Sequence, residues 1–178
     1  MKNAYAGHLK YSFQLRPHTV ADQAYIGAYQ GIGVGYFNFG NPEELGNPLA
    51  VYLFQGGRIA QFSPRISLNY EWNFGASFGW KPYDEYDNPE NQIIGSKVNA
   101  YLNVNLYLKW ALSPKFDLMI GATGSHFSNG NTQYPNSGLN TVDCKVGLVY
   151  NFNRRADELV QSCNALSFLH SPATSATT

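Results

Sequence analysis

The chain has 178 residues, and its 12 basic and 12 acidic side chains leave no formal net charge, with only 13% of residues charged. This balance, with no basic cluster beyond Arg154 and Arg155, excludes the electrostatic footprint of a nucleic-acid-binding protein. The contents of 44% apolar and 15% aromatic residues exclude a disordered chain. No apolar run approaches the roughly 18 residues that a membrane-spanning helix needs.

Apolar residues recur at every second position along most of the chain, which is the period of a β-strand and not of a helix. The alternation predicts seven strands, and a change of phase at Gly56 and Gly57 predicts a bulge in the third. In chain order the predicted strands span residues 9–15, 25–37, 49–62, 66–80, 101–109, 116–128 and 140–152.

One face of these strands is rich in Tyr, Trp, Phe and Leu, whereas the other carries Asn, Ser, Gly, Lys and Glu. An apolar exterior around a polar interior is the arrangement of a barrel in lipid. The pattern therefore predicts an all-β fold, an antiparallel up-and-down transmembrane β-barrel. Alternation alone leaves open a soluble lipid-binding barrel, whose aromatic-rich face points inward around a ligand.

The connections between the predicted strands alternate between short and long. Short turns lie at 63–64 and 113–114, and long connections at 38–48, 81–95 and 129–139. Outer-membrane barrels have short periplasmic turns and longer outer loops. The three long connections are therefore predicted to face outward.

The strand count predicts the domain organisation. A single-chain bacterial barrel has an even number of strands with both ends on the periplasmic side, yet the strand at 9–15 must begin at the outer face. The start of the chain also lacks the apolar core of a secretory signal peptide. We expect residues 1–152 to form seven strands of an eight-stranded barrel, with the first strand and the signal peptide upstream, and residues 153–178 to form a C-terminal extension with a short helix and a disordered tail.

Two polar side chains interrupt the apolar face of the sixth predicted strand. The apolar positions from Leu118 to Gly124 are followed on the same face by His126 and Ser128. Polar groups in hydrocarbon need partners or a role. Residues two apart on a strand lie about 7 Å from each other, which lets an imidazole reach a serine hydroxyl and activate it as a nucleophile. The alternative is an ordinary polar pair at the depth of the lipid headgroups.

The seventh predicted strand begins at Asn140, which shares the apolar-facing parity of Val142. From there Asn140 can approach His126 on the neighbouring strand and accept its second ring N–H, as the third member of a triad. Asp143 carries a charge but has the opposite parity and points into the barrel. All three candidates lie at the outer end of their strands, where a hydrolase meets lipid.

The stretch HFSNG, which begins at His126, and the stretch YPNSGLN, which ends at Asn140, resemble the active-site region of the lipid A 3-O-deacylases and related bacterial acyloxyacyl hydrolases. The resemblance extends from about residue 9 to residue 152. It implies an eight-stranded barrel in the bacterial outer membrane that removes an ester-linked acyl chain from lipid A of lipopolysaccharide at the outer leaflet. Ser128 corresponds to the nucleophile and His126 to the general base.

The chain departs from that family at the acid position. The family has a glutamate at the spacing where this chain has Asn140, which makes Asn140 the candidate for the acid position. An asparagine can orient a histidine through its side-chain oxygen, but it cannot stabilise an imidazolium by charge.

Ester hydrolysis also needs hydrogen-bond donors for the developing oxyanion. The turn after Ser128 can supply the backbone N–H groups of Asn129 and Gly130, and the side chain of Asn136 is a further candidate. In the alternative interpretation these residues only build turns, in which Asn and Gly are common. The four histidines lack metal-ligand spacing, and no metal or other cofactor is implied.

A different class of function remains open. A small outer-membrane barrel can be structural, or adhesive through its three outer loops, without being an enzyme. Such a barrel needs neither His126 nor Ser128, and the asparagine at the acid position favours it.

Overall fold

A computed structural model of the chain describes residues 3–14, 27–152 and 154. These residues form one antiparallel sheet in which the strands follow one another in chain order and each neighbouring pair is hydrogen-bonded. The strands are β1 (Tyr5–Gln14), β2 (Tyr29–Asn38), β3 (Gly46–Ser63), β4 (Ile66–Trp80), β5 (Val98–Ala111), β6 (Phe116–Ser128) and β7 (Leu139–Tyr150). The predicted all-β, up-and-down order is confirmed for this part of the chain. Among the same residues, no helix is both long and apolar enough to cross a membrane.

The observed strands agree with the predicted ones to within a few residues. β4 and β6 have the predicted bounds, and β5 extends further at both ends, from Val98 to Ala111. The predicted phase change is present, because Gly56 and Gly57 are both buried, and the ladder shifts register just beyond them. Residues 15 and 25–26 of the predicted strands and the predicted C-terminal extension, apart from position 154, lie outside the described residues.

Side chains alternate between an apolar outer face and a largely polar inner face. On β4, Asn69 and Glu71 are only 2% and 3% exposed, whereas Trp72 and Phe74 on the opposite face are 44% and 56% exposed. Large apolar side chains are exposed on every strand of the sheet. The alternation predicted from the sequence, with a largely polar inner face and an apolar outer face, is confirmed.

The sheet curls around one buried carboxylate. Glu71 of β4 forms ion pairs with Lys10 of β1 and with Lys145 of β7, the latter at 3.5 Å, and it accepts a hydrogen bond from the Tyr29 hydroxyl at 3.2 Å. A buried charge is tolerated when it is paired, and the two lysines supply the opposite charge to Glu71. Strands β1 and β7, at the two ends of the sheet, therefore reach the same central side chain.

Aromatic side chains fill the inner face near the long loops. Phe127 of β6 is fully buried, and its ring centroid lies 5.1 Å from those of Phe37 and Tyr101. Burial of such a ring contributes about 1.5–3 kcal/mol. Successive side chains of a strand point to opposite faces, so the anchoring of Phe127 inside holds its neighbours His126 and Ser128 on the outer face.

Candidate active site

The candidate site lies on the outer face of the sheet, where β6 ends. His126 is paired in the ladder with Leu102 of β5 on one side and Asn140 of β7 on the other, and Ser128 is paired with Ala100. Leu102 is 45% exposed, which identifies this face as the outward one. Three loops border this end of the sheet, and we call residues 39–45 loop L1, 81–97 loop L2 and 129–138 loop L3.

His126 is hydrogen-bonded to the residue predicted for the acid position. The Nδ1 atom of His126 lies 2.8 Å from the Oδ1 atom of Asn140. With the amide oxygen as acceptor, Nδ1 carries the proton, and no hydrogen bond to Nε2 is present among the described residues. This is the tautomer that a general base requires.

A glycine of L3 brings the chain close to the imidazole. Gly138 has a φ of +69°, and a Cβ atom built on it would lie 3.2 Å from Cε1 of His126. Glycine adopts this left-handed conformation without the steric cost that other residues incur. Gly138 therefore lets L3 turn tightly beside the ring and lead into β7, where Asn140 meets His126.

The hydroxyl of Ser128 is held by two donors. Its Oγ atom accepts hydrogen bonds from the backbone N–H of Gly130 at 3.1 Å and from the side-chain Nδ2 of Asn136 at 3.2 Å. Both partners donate, so the hydroxyl proton itself is left for another acceptor. Among the described residues no hydrogen bond joins Ser128 to His126, and catalytic contacts of this kind are often loose until the substrate binds.

The orientation of Asn136 is set within L3. Its Oδ1 atom accepts the backbone N–H of Asn129 at 3.1 Å, and its Nδ2 atom also donates to the side chain of Asn131 at 3.1 Å. The amide nitrogen is therefore turned toward Ser128. Of the predicted oxyanion donors, Gly130 and Asn136 lie at Ser128, whereas the N–H of Asn129 holds Asn136.

Loop L2 carries several acidic side chains without forming a metal site. The Oδ1 atom of Asp84 accepts the backbone N–H groups of Asp87 at 3.0 Å and Tyr86 at 2.9 Å. These bonds stabilise the charged carboxylate and so lower the pKa of Asp84 below its ordinary value. In the described ranges, no group of three His, Cys, Asp or Glu side chains is arranged to hold a metal ion.

The site also includes contacts for which the sequence carries no local pattern. Ile94 of L2 forms an isolated antiparallel bridge with Asn136, and the hydroxyl of Ser137 donates to the carbonyl oxygen of Gln92 at 3.1 Å. These pairs are more than 40 residues apart in the sequence. Only the fold brings L2 against the loop that holds Ser128.

Comparison with known protein families gives a match that covers this part of the chain. A family model described as lipid A 3-O-deacylase (PagL) matches residues 5–149. The matched region runs from β1 into β7 and includes every candidate site residue described above. No curated protein and no solved structure matches the chain.

Proposed function

Because the chain belongs to the lipid A 3-O-deacylase (PagL) family, we propose that it hydrolyses an acyl ester of lipid A in the outer leaflet of the bacterial outer membrane, with Ser128 as nucleophile and His126 as general base. The observation that carries the proposal is the 2.8 Å hydrogen bond between His126 and Asn140. His126 lies two residues before Ser128, and all three side chains are on the exposed apolar face. On that face the three side chains meet a substrate that is itself embedded in lipid.

The first half of the reaction transfers the acyl chain to the enzyme. The Ser128 Oγ atom attacks the ester carbonyl carbon while Nε2 of His126 takes the hydroxyl proton. The Gly130 N–H and the Asn136 amide, which lie at Oγ in the free protein, donate to the oxyanion that develops. The bond from the carbonyl carbon to the sugar oxygen then breaks, and His126 returns its proton to that oxygen.

The second half restores the free enzyme. Nε2 of His126 takes a proton from a water molecule, whose oxygen attacks the carbonyl carbon of the acyl-serine. The bond to Oγ breaks, Ser128 regains the proton from His126, and the fatty acid leaves. The overall change is hydrolysis of one ester. In each half of the reaction, His126 accepts one proton and then donates it again.

The surroundings of the site favour this chemistry. Leu102 and Val142, which neighbour His126 on the outer face, are 45% and 86% exposed and face the lipid. Apolar surroundings lower the local dielectric, so fixed N–H donors stabilise a developing oxyanion more strongly than they do in water.

The proposed activity predicts a change of mass in lipid A. When the full reading frame that contains this chain is expressed so that the protein reaches the outer membrane of a Gram-negative host, we expect lipid A to lose the mass of one ester-linked acyl chain, because hydrolysis releases that chain as a fatty acid. Mass spectrometry of extracted lipid A measures the change, with the same host carrying an empty vector as control. Unchanged lipid A, with the folded barrel present in the membrane, would contradict the proposal and favour a non-enzymatic barrel.

The asparagine at position 140 predicts that activity can be increased. Asn140→Asp preserves the side-chain shape and the acceptor at 2.8 Å from His126, and it adds the negative charge that stabilises an imidazolium. Charge-assisted hydrogen bonds exceed neutral ones by about 1–1.5 kcal/mol. We therefore expect kcat to rise roughly tenfold in a detergent assay of lipid A deacylation.

A matched substitution separates this effect from a general effect of surface charge. Asn47→Asp adds the same charge to an exposed asparagine at the same end of the barrel, where its Oδ1 accepts from Asn38 at 3.0 Å. We expect its kcat to stay within about twofold of the wild type. An equal rise in both variants, or none at position 140, would show that Asn140 does not serve the histidine.

A further inference from the structure

One buried asparagine organises the second half of L2. The side chain of Asn91 is fully buried, and its Nδ2 donates to the carbonyl oxygens of Lys81 at 2.7 Å and Glu44 at 3.2 Å. Its Oδ1 accepts the backbone N–H groups of Ile93 and Ile94, each at 3.0 Å. The amide of Asn91 forms all four of these hydrogen bonds, so its burial leaves no polar atom unpaired. The bonds also fix residues 93–94 relative to L1 and the end of β4.

This ordered segment of L2 is attached to L3. Ile94 has a fully buried side chain in the aromatic core, and its backbone forms the bridge with Asn136. Beside the bridge, the Ser137 hydroxyl donates to the Gln92 carbonyl at 3.1 Å. We call this junction, between residues 92–95 and 134–137, the seam.

The two loops approach so closely at the seam that a side chain does not fit between them. A Cβ atom built on Gly95 would lie 2.7 Å from the carbonyl oxygen of Pro135 and 2.7 Å from the carbonyl carbon of Tyr134. Both are backbone atoms, which cannot turn aside as the end of a flexible side chain can. A methyl group at position 95 must therefore push L3 away from L2.

The seam ends on a residue that touches the proposed nucleophile. Asn136, which L2 bridges through the backbone, is the residue whose amide donates to Ser128 Oγ. The remaining side-chain contacts of Asn136 lie within L3 itself, to Asn129 and Asn131. L2 is thus the external support that sets the position of this donor.

We infer that L2 positions Asn136 against Ser128 through the seam, and that Gly95 and Asn91 are positioning residues for the reaction, an inference that rests on the proposed function. Neither residue touches the substrate in this scheme. They act on the rate by keeping an oxyanion donor in place, and a displacement of about 1 Å at a reacting site lowers rates by as much as 100-fold.

The test substitutes Gly95→Ala and measures lipid A deacylation in detergent. We expect kcat to fall by roughly 10- to 100-fold, with KM within about twofold, because the donor serves the transition state rather than the bound substrate. Gly7→Ala on β1 is the matched control, since a Cβ atom there meets no heavy atom within 4 Å. Its kcat should equal that of the wild type.

A double-mutant cycle distinguishes positioning from general loosening of the structure. In an Asn136→Ala background, Gly95→Ala should change kcat by less than about twofold, because the group through which it acts is absent. The same fold loss in both backgrounds would overturn the inference, as would a Gly95→Ala variant with the wild-type rate. If Gly95→Ala does not fold, Ser137→Ala, which removes only the bond to Gln92, should lower kcat about threefold and show the same dependence on Asn136.

Parallel assay of Ser128→Ala separates the two levels of inference. If that variant retains the wild-type rate, the proposed function and the seam both fail. If it is inactive while Gly95→Ala behaves like Gly7→Ala, the nucleophile assignment survives and only the positioning role of L2 is overturned.

Discussion

Ser128→Ala is expected to lower kcat for lipid A deacylation by roughly 10⁴-fold or more. The alanine has no oxygen to attack the ester carbonyl, and the two donors at Oγ lose the group they hold. The hydroxyl bonds to the acyl group only during the reaction, so we expect KM to change little. The measurement is release of fatty acid from purified lipid A, with folding checked by the heat-modifiable gel mobility of the barrel.

Ser125 provides the matched control on the same strand. It is three residues away, 8% exposed on the inner face, and its Oγ accepts from Asn103 at 2.9 Å. Ser125→Ala therefore removes a hydroxyl from β6 without altering the outer face, and we expect the wild-type rate. Full activity in Ser128→Ala, or equal losses in the two variants, would show that Ser128 is not the nucleophile.

His126→Gln is expected to lower kcat by roughly 10³-fold or more. Glutamine retains a polar side chain that can reach Asn140, but it cannot take the serine proton at neutral pH. Residues that act as a unit are strongly non-additive, so combining His126→Gln with Ser128→Ala should cost little beyond Ser128→Ala alone. Single-turnover and steady-state rates of the three variants measure this directly.

His8 is the corresponding histidine control. It belongs to β1, and its Nδ1 lies 2.9 Å from the Tyr52 hydroxyl inside the barrel. We expect His8→Gln to retain the wild-type rate in the fraction of protein that is folded. Additive losses in the double variant at positions 126 and 128 would mean that the two residues do not share one proton transfer.

The strands could be predicted because a sheet with one apolar face has an apolar residue at every second position of each strand. On β4 the alternation from Ile66 to Trp80 gave bounds that the structure reproduces, and on β6 the same parity placed His126 and Ser128 on the outer face. A shift of one residue would expose Phe127 and bury both polar side chains, so the register is strongly specified. Each of these predictions depends only on residues close together in the chain.

The partner of His126 was predictable to a lesser degree. Strand parity and the resemblance to the family, whose glutamate stands at this spacing from the serine, identified Asn140. The ladder between β6 and β7 places His126 and Asn140 directly opposite each other. By contrast, the sequence could not show which of the predicted donors lie at Ser128 and which one orients another donor. The sequence does not show that the N–H of Asn129 holds Asn136, since the turn of L3 decides where each N–H points.

The sequence by itself determined the class of fold, the faces of the strands and the small set of polar residues on the apolar face, because strand period and parity are local properties. Only the tertiary structure shows which residues of L2 contact L3 and hold these polar residues in position. Asn91, Ile94 and Gly95 carry no motif, and their proposed role rests on contacts with residues 39 to 47 positions distant. Such contacts depend on how two loops meet across a curled sheet, and that meeting is fixed by the packing of the whole barrel end rather than by any stretch of sequence.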